Sequence, residues 1–214
     1  MRLRNVKGAR EALAESSYVE AAPEANRGAW RAVFGNEGPI HVEIGMGKGR
    51  FLLEMAARHR EIDYIGVEMY ASVLVRAAEK LEDVPELPNL RFLNIPAETL
   101  ETVFAPGEVD RIYLNFSDPW PKARHAKRRL TSPVFLKRYE GILKKGGLLE
   151  FKTDNRELFD YSLESVEAAS WRLLQFTYDL HGDPELGRGN VMTEYEEKFS
   201  GQGQAICKLI AARI

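Results

Sequence analysis

Short apolar runs alternate along this sequence with segments of helical spacing, and that alternation leaves few folds open. The runs are rich in β-branched residues and read IHVEIG, DYIGVE, LRFLNI, VDRIYLNF and GLLEFKT. Between them, segments such as GRFLLEMAARH and ASVLVRAAEKLED carry apolar residues at the spacing of one helix face. These patterns predict strands and amphipathic helices. Strands that alternate with helices predict an α/β fold with a mostly parallel, doubly wound sheet.

The two ends of the sequence depart from this alternation. WRLLQFTYDL and QAICKLIAAR both predict strands, and a polar glycine-rich loop and the short helix TEYEEKF separate them. We therefore expect an antiparallel strand to close the sheet. Residues 1–25 are weakly patterned and predict a flexible basic N-terminal arm, followed by a single domain over 26–214. The basic residues of this arm are Arg2, Arg4, Lys7 and Arg10.

Composition excludes several classes of protein. The chain has 214 residues, 44% of them hydrophobic, which suffices for one packed domain. No stretch approaches the roughly 18 apolar residues of a membrane helix, and the N-terminus lacks the apolar core of a secretory signal. The single cysteine, Cys207, excludes a disulfide framework and is expected to be a core thiol. We therefore expect a cytoplasmic protein without a membrane segment. Because the net charge is only -2, any contact with nucleic acid must come from a local basic patch.

The first predicted strand runs into a glycine loop, and ligands of such sheets bind at the carboxyl ends of the strands. Gly45, Gly47 and Gly49 are spaced G-x-G-x-G, which is neither the dinucleotide pattern nor a phosphate loop. Glu43, two residues before them, suits a cationic group such as the amine of S-adenosylmethionine and would repel a pyrophosphate. Glu68 ends the second strand, where an acid accepts hydrogen bonds from ribose hydroxyls. Alternatively, Glu43 is a satisfied buried acid and the glycines only turn the chain.

The third predicted strand leads into Pro96, Ala97 and Glu98. Pro96 offers only its carbonyl group. An adenine contact would therefore come from the backbone amide of Ala97 or from Glu98.

The fourth predicted strand leads into NFSDPWPKARHAKRRL, residues 115–130. Prolines and a tryptophan stiffen this loop and offer Asp118 to the crevice. A cationic run follows without an intervening acid and is expected to contact the phosphates of an RNA or DNA. Its members are Lys122, Arg124, His125, Lys127, Arg128 and Arg129. The alternatives are a rigid turn capped by Asp118 and a solvated basic face.

Together with VEIGMGKG, FKTDNR and MTEYEEKF, this block closely resembles the bacterial tRNA (guanine-N7-)-methyltransferase family. The resemblance extends over nearly the whole chain from about Trp30. It implies a class I S-adenosylmethionine-dependent methyltransferase fold, which is Rossmann-like, and methylation of a guanine in the tRNA variable loop to 7-methylguanosine. Many relatives have a polar residue where this chain has Pro96, which leaves that adenine contact open.

The resemblance also implies roles for individual residues. The cofactor positions of the family correspond to Glu43, Glu68 and Asp118. The RNA-contacting run corresponds to residues 124–129. The substrate positions correspond to Lys122, Asp154, Thr193, Glu194, Tyr195 and Glu196.

Guanine N7 has a free lone pair and no proton to lose, so its methylation needs alignment and electrostatics more than a general base. We expect Asp118 to act as the catalytic residue between cofactor and base. Acceptor carboxylates at Asp154 and Glu196 would suit the donor edge of guanine and reject adenine. Tyr195 would pack on the base. Alternatively, Asp154 caps a helix, and Thr193 with Glu196 forms a capping box.

Three other functions remain open from the sequence. An amino-methyltransferase acting on adenine or cytosine would place its second proline differently from Asp118-Pro119-Trp120-Pro121. A non-catalytic RNA-binding subunit with the same fold would not need Glu43, the glycines and Asp118. An NAD oxidoreductase disagrees with the glycine spacing. No metal and no obligate protein partner are expected, and the sequence does not distinguish a monomer from a homodimer.

Overall fold

The computed structural model describes residues 6–169 and 171–214. Seven strands form one sheet in this part of the chain. They are β1 (Ile40–Ile44), β2 (Asp63–Val67), β3 (Leu90–Leu93), β4 (Val109–Asn115), β5 (Leu143–Thr153), β6 (Arg172–Thr177) and β7 (Cys207–Ala212). The α-helices are α1 (Ala9–Glu15), α2 (Trp30–Phe34), α3 (Arg50–Arg58), α4 (Ala71–Lys80), α5 (Leu100–Val103), α6 (Pro133–Ile142), α7 (Arg156–Ala168) and α8 (Glu194–Ser200).

The strand order is β3-β2-β1-β4-β5-β7-β6. β1 to β5 are parallel, and the order reverses between β1 and β4. β7 is antiparallel to both β5 and β6 and lies between them. The prediction of a mostly parallel, doubly wound sheet closed by an antiparallel strand is therefore confirmed. Sheets of this type bind ligands where the strand order reverses, at the carboxyl ends of β1 and β4.

Both faces of the sheet are covered, which explains the continuous apolar character of its central strands. Every residue of β1 and β2 is buried. On one face, Trp30, Tyr139 and Phe159 belong to a cluster formed with α2, α5, α6 and α7. On the other face, the cluster is formed with α1, α3 and α4 and includes Phe51 and Phe92.

The predicted N-terminal arm needs a correction for residues 6–25. Ala9 and Leu13 are buried in the cluster that includes α4. The Tyr18 carbonyl accepts a hydrogen bond of 2.7 Å from the Phe92 amide, and its hydroxyl accepts one of 3.1 Å from the Leu87 amide. Two apolar residues four positions apart on a helix of seven are too weak a pattern to distinguish from an arm. The predicted arm residues Arg2 and Arg4 lie outside the described residues.

The sequence SPVFLKRYEGILKKGG predicts a helix that ends at its two glycines, but the observed helix is shorter. α6 ends at Ile142, and β5 already begins at Leu143, which is fully buried and pairs with Val109. Burial of Leu143 in the sheet outweighs the helical pattern at this point.

None of the described helices is long and apolar enough to cross a membrane. Within the same residues, no group of three or more His, Cys, Asp or Glu side chains is arranged to hold a metal ion.

Candidate active site

Two adjoining cavities lie at the carboxyl ends of the parallel strands. Cavity A, of about 550 Å³, is lined by residues that follow β1 to β4, and cavity B, of about 180 Å³, lies between the glycine loop and the start of α8. Gly45 and Phe116 line both cavities. The predicted residues in the wall of cavity A are Gly45, Glu68, Ala97, Glu98, Asp118 and Arg128. Those in the wall of cavity B are Glu43, Gly45, Gly47, Gly49, Thr193, Glu194 and Tyr195.

The three loop glycines have two different functions. All have positive φ angles, +76° at Gly45, +59° at Gly47 and +76° at Gly49, which favour glycine. A Cβ at Gly45 or Gly47 would meet no atom closer than 4.0 Å, so both positions face open space beside the cavities. A Cβ at Gly49 would lie 2.8 Å from the Ala77 side chain. Gly49 therefore allows α3 to pack against α4. It also lines cavity B, so its predicted cofactor contact stays a prediction.

Glu43 is buried at the inner wall of cavity B. Its Oε1 accepts a hydrogen bond of 2.7 Å from Asn115 Nδ2, whereas its Oε2 has no hydrogen-bond partner among residues 6–169 and 171–214. Burial raises the pKa of Glu43 to about 8, although the Asn115 bond and the charge of Lys152 act in the opposite direction. A buried carboxyl with one unpaired oxygen is not a satisfied core acid.

Glu68 connects the end of β2 to the glycine loop. Its Oε2 accepts a hydrogen bond of 3.2 Å from the Gly47 amide, and its Oε1 accepts one of 3.0 Å from the Tyr70 amide. Burial raises the pKa of Glu68, the amide bonds lower it, and the charge of Asp118 raises it further. The carboxylate thus holds the loop in place and still lines cavity A.

The loop that bears Asp118 is constrained on both sides. Phe116 and Trp120 have φ angles of +55° and +42°, a region that aromatic residues rarely adopt. Such conformations persist only where the surrounding structure enforces them, and they concentrate at functional sites. Within the described residues the Asp118 carboxylate makes no hydrogen bond, so Asp118 does not cap the turn.

The cationic run folds as a 3-10 helix over Ala123–Arg128, beside this loop. Arg128 lies 4.9 Å from the centre of the Trp120 ring, and the His125 ring packs edge-on against the same ring at 5.7 Å. The remaining cationic side chains of the run that face solvent are Lys122, Arg124 and Lys127.

Arg129 differs from the other members of the run. Its Nε donates to the Pro119 carbonyl at 3.0 Å and its Nη2 to the Trp120 carbonyl at 3.2 Å. Its guanidinium also lies 4.3 Å from the Tyr161 ring centre. We therefore revise its predicted role from an RNA contact to support of the Asp118 loop.

The start of α8 forms one wall of cavity B. Thr193 Oγ1 accepts a hydrogen bond of 3.0 Å from the Glu196 amide, so Thr193 caps α8. The Glu196 carboxylate is bonded to Lys152 and Asn190 instead, so only the Thr193 half of the predicted capping box is observed. Glu194 is ion-paired with Lys80 on α4. The Tyr195 ring is 42% exposed, and its centre lies 5.0 Å from that of Phe116.

Asp154 lies directly after β5. Asn155, not Asp154, caps α7, because its side chain accepts the Leu158 amide at 2.8 Å. The capping alternative for Asp154 is therefore wrong. Its carboxylate instead accepts a hydrogen bond of 3.0 Å from the Tyr195 hydroxyl.

Glu196 lies apart from both cavities. It is fully buried and ion-paired with Lys152 at 2.6 Å. We therefore revise the prediction that Glu196 contacts the guanine. Sequence reasoning also missed Asn115 and Phe116, whose only signal is their position at the end of an apolar strand.

The chain resembles known proteins over almost its full length. A family model described as "Putative methyltransferase" matches residues 37–209. A tRNA (guanine-N(7)-)-methyltransferase of Lachnoclostridium phytofermentans is 56% identical over 213 residues, which cover 100% of this chain and 99% of that protein. Proteins of the same name from Bacillus subtilis and a Geobacillus species are 51% and 53% identical over 96% of this chain, covering 96% and 93% of those proteins.

Solved structures resemble the fold at lower sequence identity. A 16S rRNA (adenine(1408)-N(1))-methyltransferase from Catenulisporales acidiphilia has a TM-score of 0.65 at 17% identity, covering 91% of this chain and 94% of that one. A point mutant of that enzyme, solved with the cosubstrate SAM, has a TM-score of 0.61 at 16% identity, covering 91% of this chain and 92% of the mutant. These likenesses establish the methyltransferase fold.

Proposed function

The chain belongs to the tRNA (guanine-N(7)-)-methyltransferase family, and from this premise we propose how its residues transfer a methyl group from S-adenosylmethionine to N7 of a tRNA guanine. One observation carries the assignment of roles. Glu43 and Asp118 line two cavities that share Gly45 and Phe116. In the part of the chain that the structure describes, Glu43 Oε2 and the Asp118 carboxylate have no hydrogen-bond partner. A cofactor and a base can therefore meet at this shared wall.

The residues of both cavities fit S-adenosylmethionine. The unpaired Oε2 of Glu43 suits a cationic amine, and a positive charge beside this carboxyl would reverse the rise of its pKa. Gly45 and Gly47 leave open space for a ligand close to the backbone. Cavity A is largely apolar, through Ile44, Val73 and Ile95 among others, and suits an adenosine group.

Glu68 and Ala97 are the proposed polar contacts of this adenosine group. The Glu68 carboxylate accepts two amide bonds and retains lone pairs for ribose hydroxyls. Ala97 would offer its backbone amide to the adenine, as Pro96 has no N–H to donate.

S-adenosylmethionine supplies a methyl group already activated on a sulfonium ion. The protein has to align the guanine with that group and stabilise the positive charge that passes to the purine ring. We assign the charge stabilisation to Asp118, which lines cavity A and whose loop is held by Arg129. No general base is required, because N7 carries no proton.

Asp154 is the proposed acceptor for the donor edge of the guanine, its ring N–H and its exocyclic amine. An adenine presents a ring acceptor at this edge and would leave the carboxylate facing a lone pair. The exposed Tyr195 ring, adjacent to Phe116, is the proposed stacking surface for the base. Thr193 and Glu194 complete the wall of cavity B.

The tRNA backbone is the proposed partner of Lys122, Arg124, His125, Lys127 and Arg128. Arg128 lines cavity A, and the His125 ring packs against Trp120, which also lines it. The other three side chains belong to the same cationic run and are exposed. Phosphate contacts would position the tRNA, and the guanine of the variable loop would enter the site. A tRNA substrate also favours a cytoplasmic location.

The experiment that tests this function is methyl transfer from labelled S-adenosylmethionine to unmodified tRNA, with the product nucleoside identified. We expect 7-methylguanosine from the wild type and a loss of at least about 100-fold for Asp118→Ala, since removal of one electrostatic group from such a site costs about that much. A product methylated on an exocyclic amine would contradict the proposal. So would a wild-type protein that binds cofactor and tRNA without forming product.

A further inference from the structure

A buried ion pair connects the central sheet to the short helix α8. Lys152 Nζ on β5 lies 2.6 Å from Glu196 Oε2, and the two side chains are 4% and 0% exposed. Burying two charges has a high desolvation cost, which is offset only where the geometry is good and the remaining polar atoms are satisfied. A gain in stability therefore does not explain this pair, and its position indicates another function.

The polar atoms around the pair are satisfied mainly by one segment of the chain, the loop before α8. Lys152 Nζ also donates to the Val191 carbonyl at 2.9 Å and to Asn190 Oδ1 at 3.2 Å. Glu196 Oε1 accepts from Asn190 Nδ2 at 2.6 Å and lies 3.3 Å from His181 Nε2. Together these residues form the Lys152–Glu196 cluster. Both carboxylate oxygens of Glu196 are engaged within it, which leaves no obvious place for a base.

Two members of the cluster lie next to residues of the proposed base site. Glu196 directly follows Tyr195, and Lys152 precedes Asp154 by two residues. Tyr195 and Asp154 are themselves joined by a hydrogen bond of 3.0 Å. The cluster therefore fixes the distance between the end of β5 and the start of α8 on which this bond depends.

We propose that Glu196 is a positioning residue, and that the Lys152–Glu196 cluster holds α8 against β5 so that Tyr195 and Asp154 together form the guanine-binding surface. This inference rests on the proposed function. It assigns to His181 and Asn190 a part in the reaction, acting through Glu196 and without touching the substrate. Buried ionic groups of this kind add specificity of structure more than stability.

A double-mutant cycle distinguishes positioning from direct contact between Glu196 and the guanine. The variants are Lys152→Met, Glu196→Gln and the double variant, in which neither member of the pair is charged. Each single variant leaves one charged or polar partner unmatched, and we expect kcat/KM for tRNA to fall at least about tenfold. In the double variant we expect recovery to within about fivefold of wild type, because the charges are removed together.

The outcome that overturns the proposal is a double variant that melts and binds S-adenosylmethionine like the wild type but is as inactive as Glu196→Gln alone. The carboxylate would then be required at the base itself. A wild type that forms no 7-methylguanosine would instead refute the proposed function, before any variant is compared.

If the double variant does not fold, His181→Gln tests the proposal instead, because the His181 side chain is 37% exposed and its replacement is expected to leave the fold intact. We expect its KM for tRNA to rise several-fold, with its affinity for S-adenosylmethionine and its melting temperature unchanged. Kinetics identical to wild type would overturn the cluster's role, because direct contact by Glu196 does not need His181. The matched control is Glu197→Gln, at the residue that follows Glu196. This variant removes an exposed ion pair with Arg50 and is expected to behave as wild type.

Discussion

The Tyr195 hydroxyl donates a hydrogen bond of 3.0 Å to Asp154 Oδ2, which joins two segments 41 residues apart in the chain. Burial raises the pKa of Tyr195 to about 12, and the hydrogen bond to Asp154 is a smaller cause of the same rise. The carboxylate at this site is therefore already held in one orientation before a base arrives. An acceptor with a fixed direction discriminates between donor and acceptor edges better than a mobile one.

Replacing Asp154 by Asn should lower kcat/KM for tRNA by about 10- to 100-fold, because a hydrogen bond to a charged group contributes about 1.5–3 kcal/mol. Tyr195→Phe keeps the carboxylate and the ring, so a loss below about tenfold is expected. Steady-state methylation of unmodified tRNA measures both. Wild-type kinetics in Asp154→Asn would exclude this residue from base recognition.

Glu43→Gln should change how stability depends on pH in the cofactor-free protein. The pKa of Glu43 is about 8 in the folded chain, against an ordinary value of 4.5, so the folded state keeps a proton that the unfolded state has lost between these values. Wild-type stability should therefore fall as the pH rises from about 4.5 to about 8. Glutamine cannot ionise and should avoid this loss, so the variant should be more stable than wild type at pH 8, by an amount on the order of 2–4 kcal/mol.

Urea unfolding at pH 5 and pH 8 measures this difference, and the two proteins should be closer in stability at pH 5. Addition of S-adenosylmethionine should stabilise the wild type more than Glu43→Gln, because the variant cannot offer a carboxylate to the amine. Equal pH dependence in the two proteins would show that Glu43 ionises normally.

Gly49→Ala and Gly47→Ala should affect different properties, the first mainly the stability of the fold and the second mainly the affinity for the cofactor. Both substitutions strain a positive φ angle, at a cost of roughly 1 kcal/mol or more. Only at Gly49 does the new Cβ also meet a packed side chain, so its melting temperature should fall further. At Gly47 the Cβ enters open space beside cavity B and should mainly weaken cofactor affinity. Thermal melting and calorimetric titration with S-adenosylmethionine measure the two effects, and a reversed order would contradict this division.

Arg124→Ala and Arg129→Ala should differ in their response to salt. Arg124 is exposed and is expected to contact phosphate, so its loss should weaken tRNA binding. The slope of the logarithm of the binding constant against the logarithm of the salt concentration should become shallower by about 0.7–0.9. Arg129 supports the Asp118 loop, so its loss should lower kcat and leave the salt dependence unchanged. Filter binding at several salt concentrations, together with single-turnover rates, distinguishes the two. Equal salt slopes would refute the assignment of Arg124.

The pattern of apolar residues predicted most of the fold, because strands buried on both faces and helices buried on one face each leave a direct pattern in the sequence. β1 and β2 were recognisable since every residue in them is buried. The place of β7 between β5 and β6 was not predictable, because it depends on which of two similar strands fits the open edge of β5. The packing of α1 was missed because Ala9 and Leu13 are the only residues of this helix that are buried.

The site was predicted in part for similar physical reasons. Strand ends located Glu43, Glu68 and Asp118, since topology brings these positions to one edge. The burial of Glu196 was not predictable, because its partner Lys152 lies 44 residues away. The residue that caps α7 could not be chosen between Asp154 and Asn155. The choice depends on where the helix begins, and sequence patterns locate a helix start only to within a few positions.

The insertion of β7 between β5 and β6 has a consequence for biosynthesis. On the ribosome, β1 to β5 can pair as they emerge, and the glycine loop can form with them. β6 has no neighbour in the sheet until residues 207–212 have been made, and α8 lies between these two strands in the chain. A nascent chain halted before β7 would expose the edges of both β5 and β6. One halted earlier, before α8, would present a formed cofactor loop without the Tyr195 side of the guanine site. Ligand binding should therefore appear during translation before methyl transfer does.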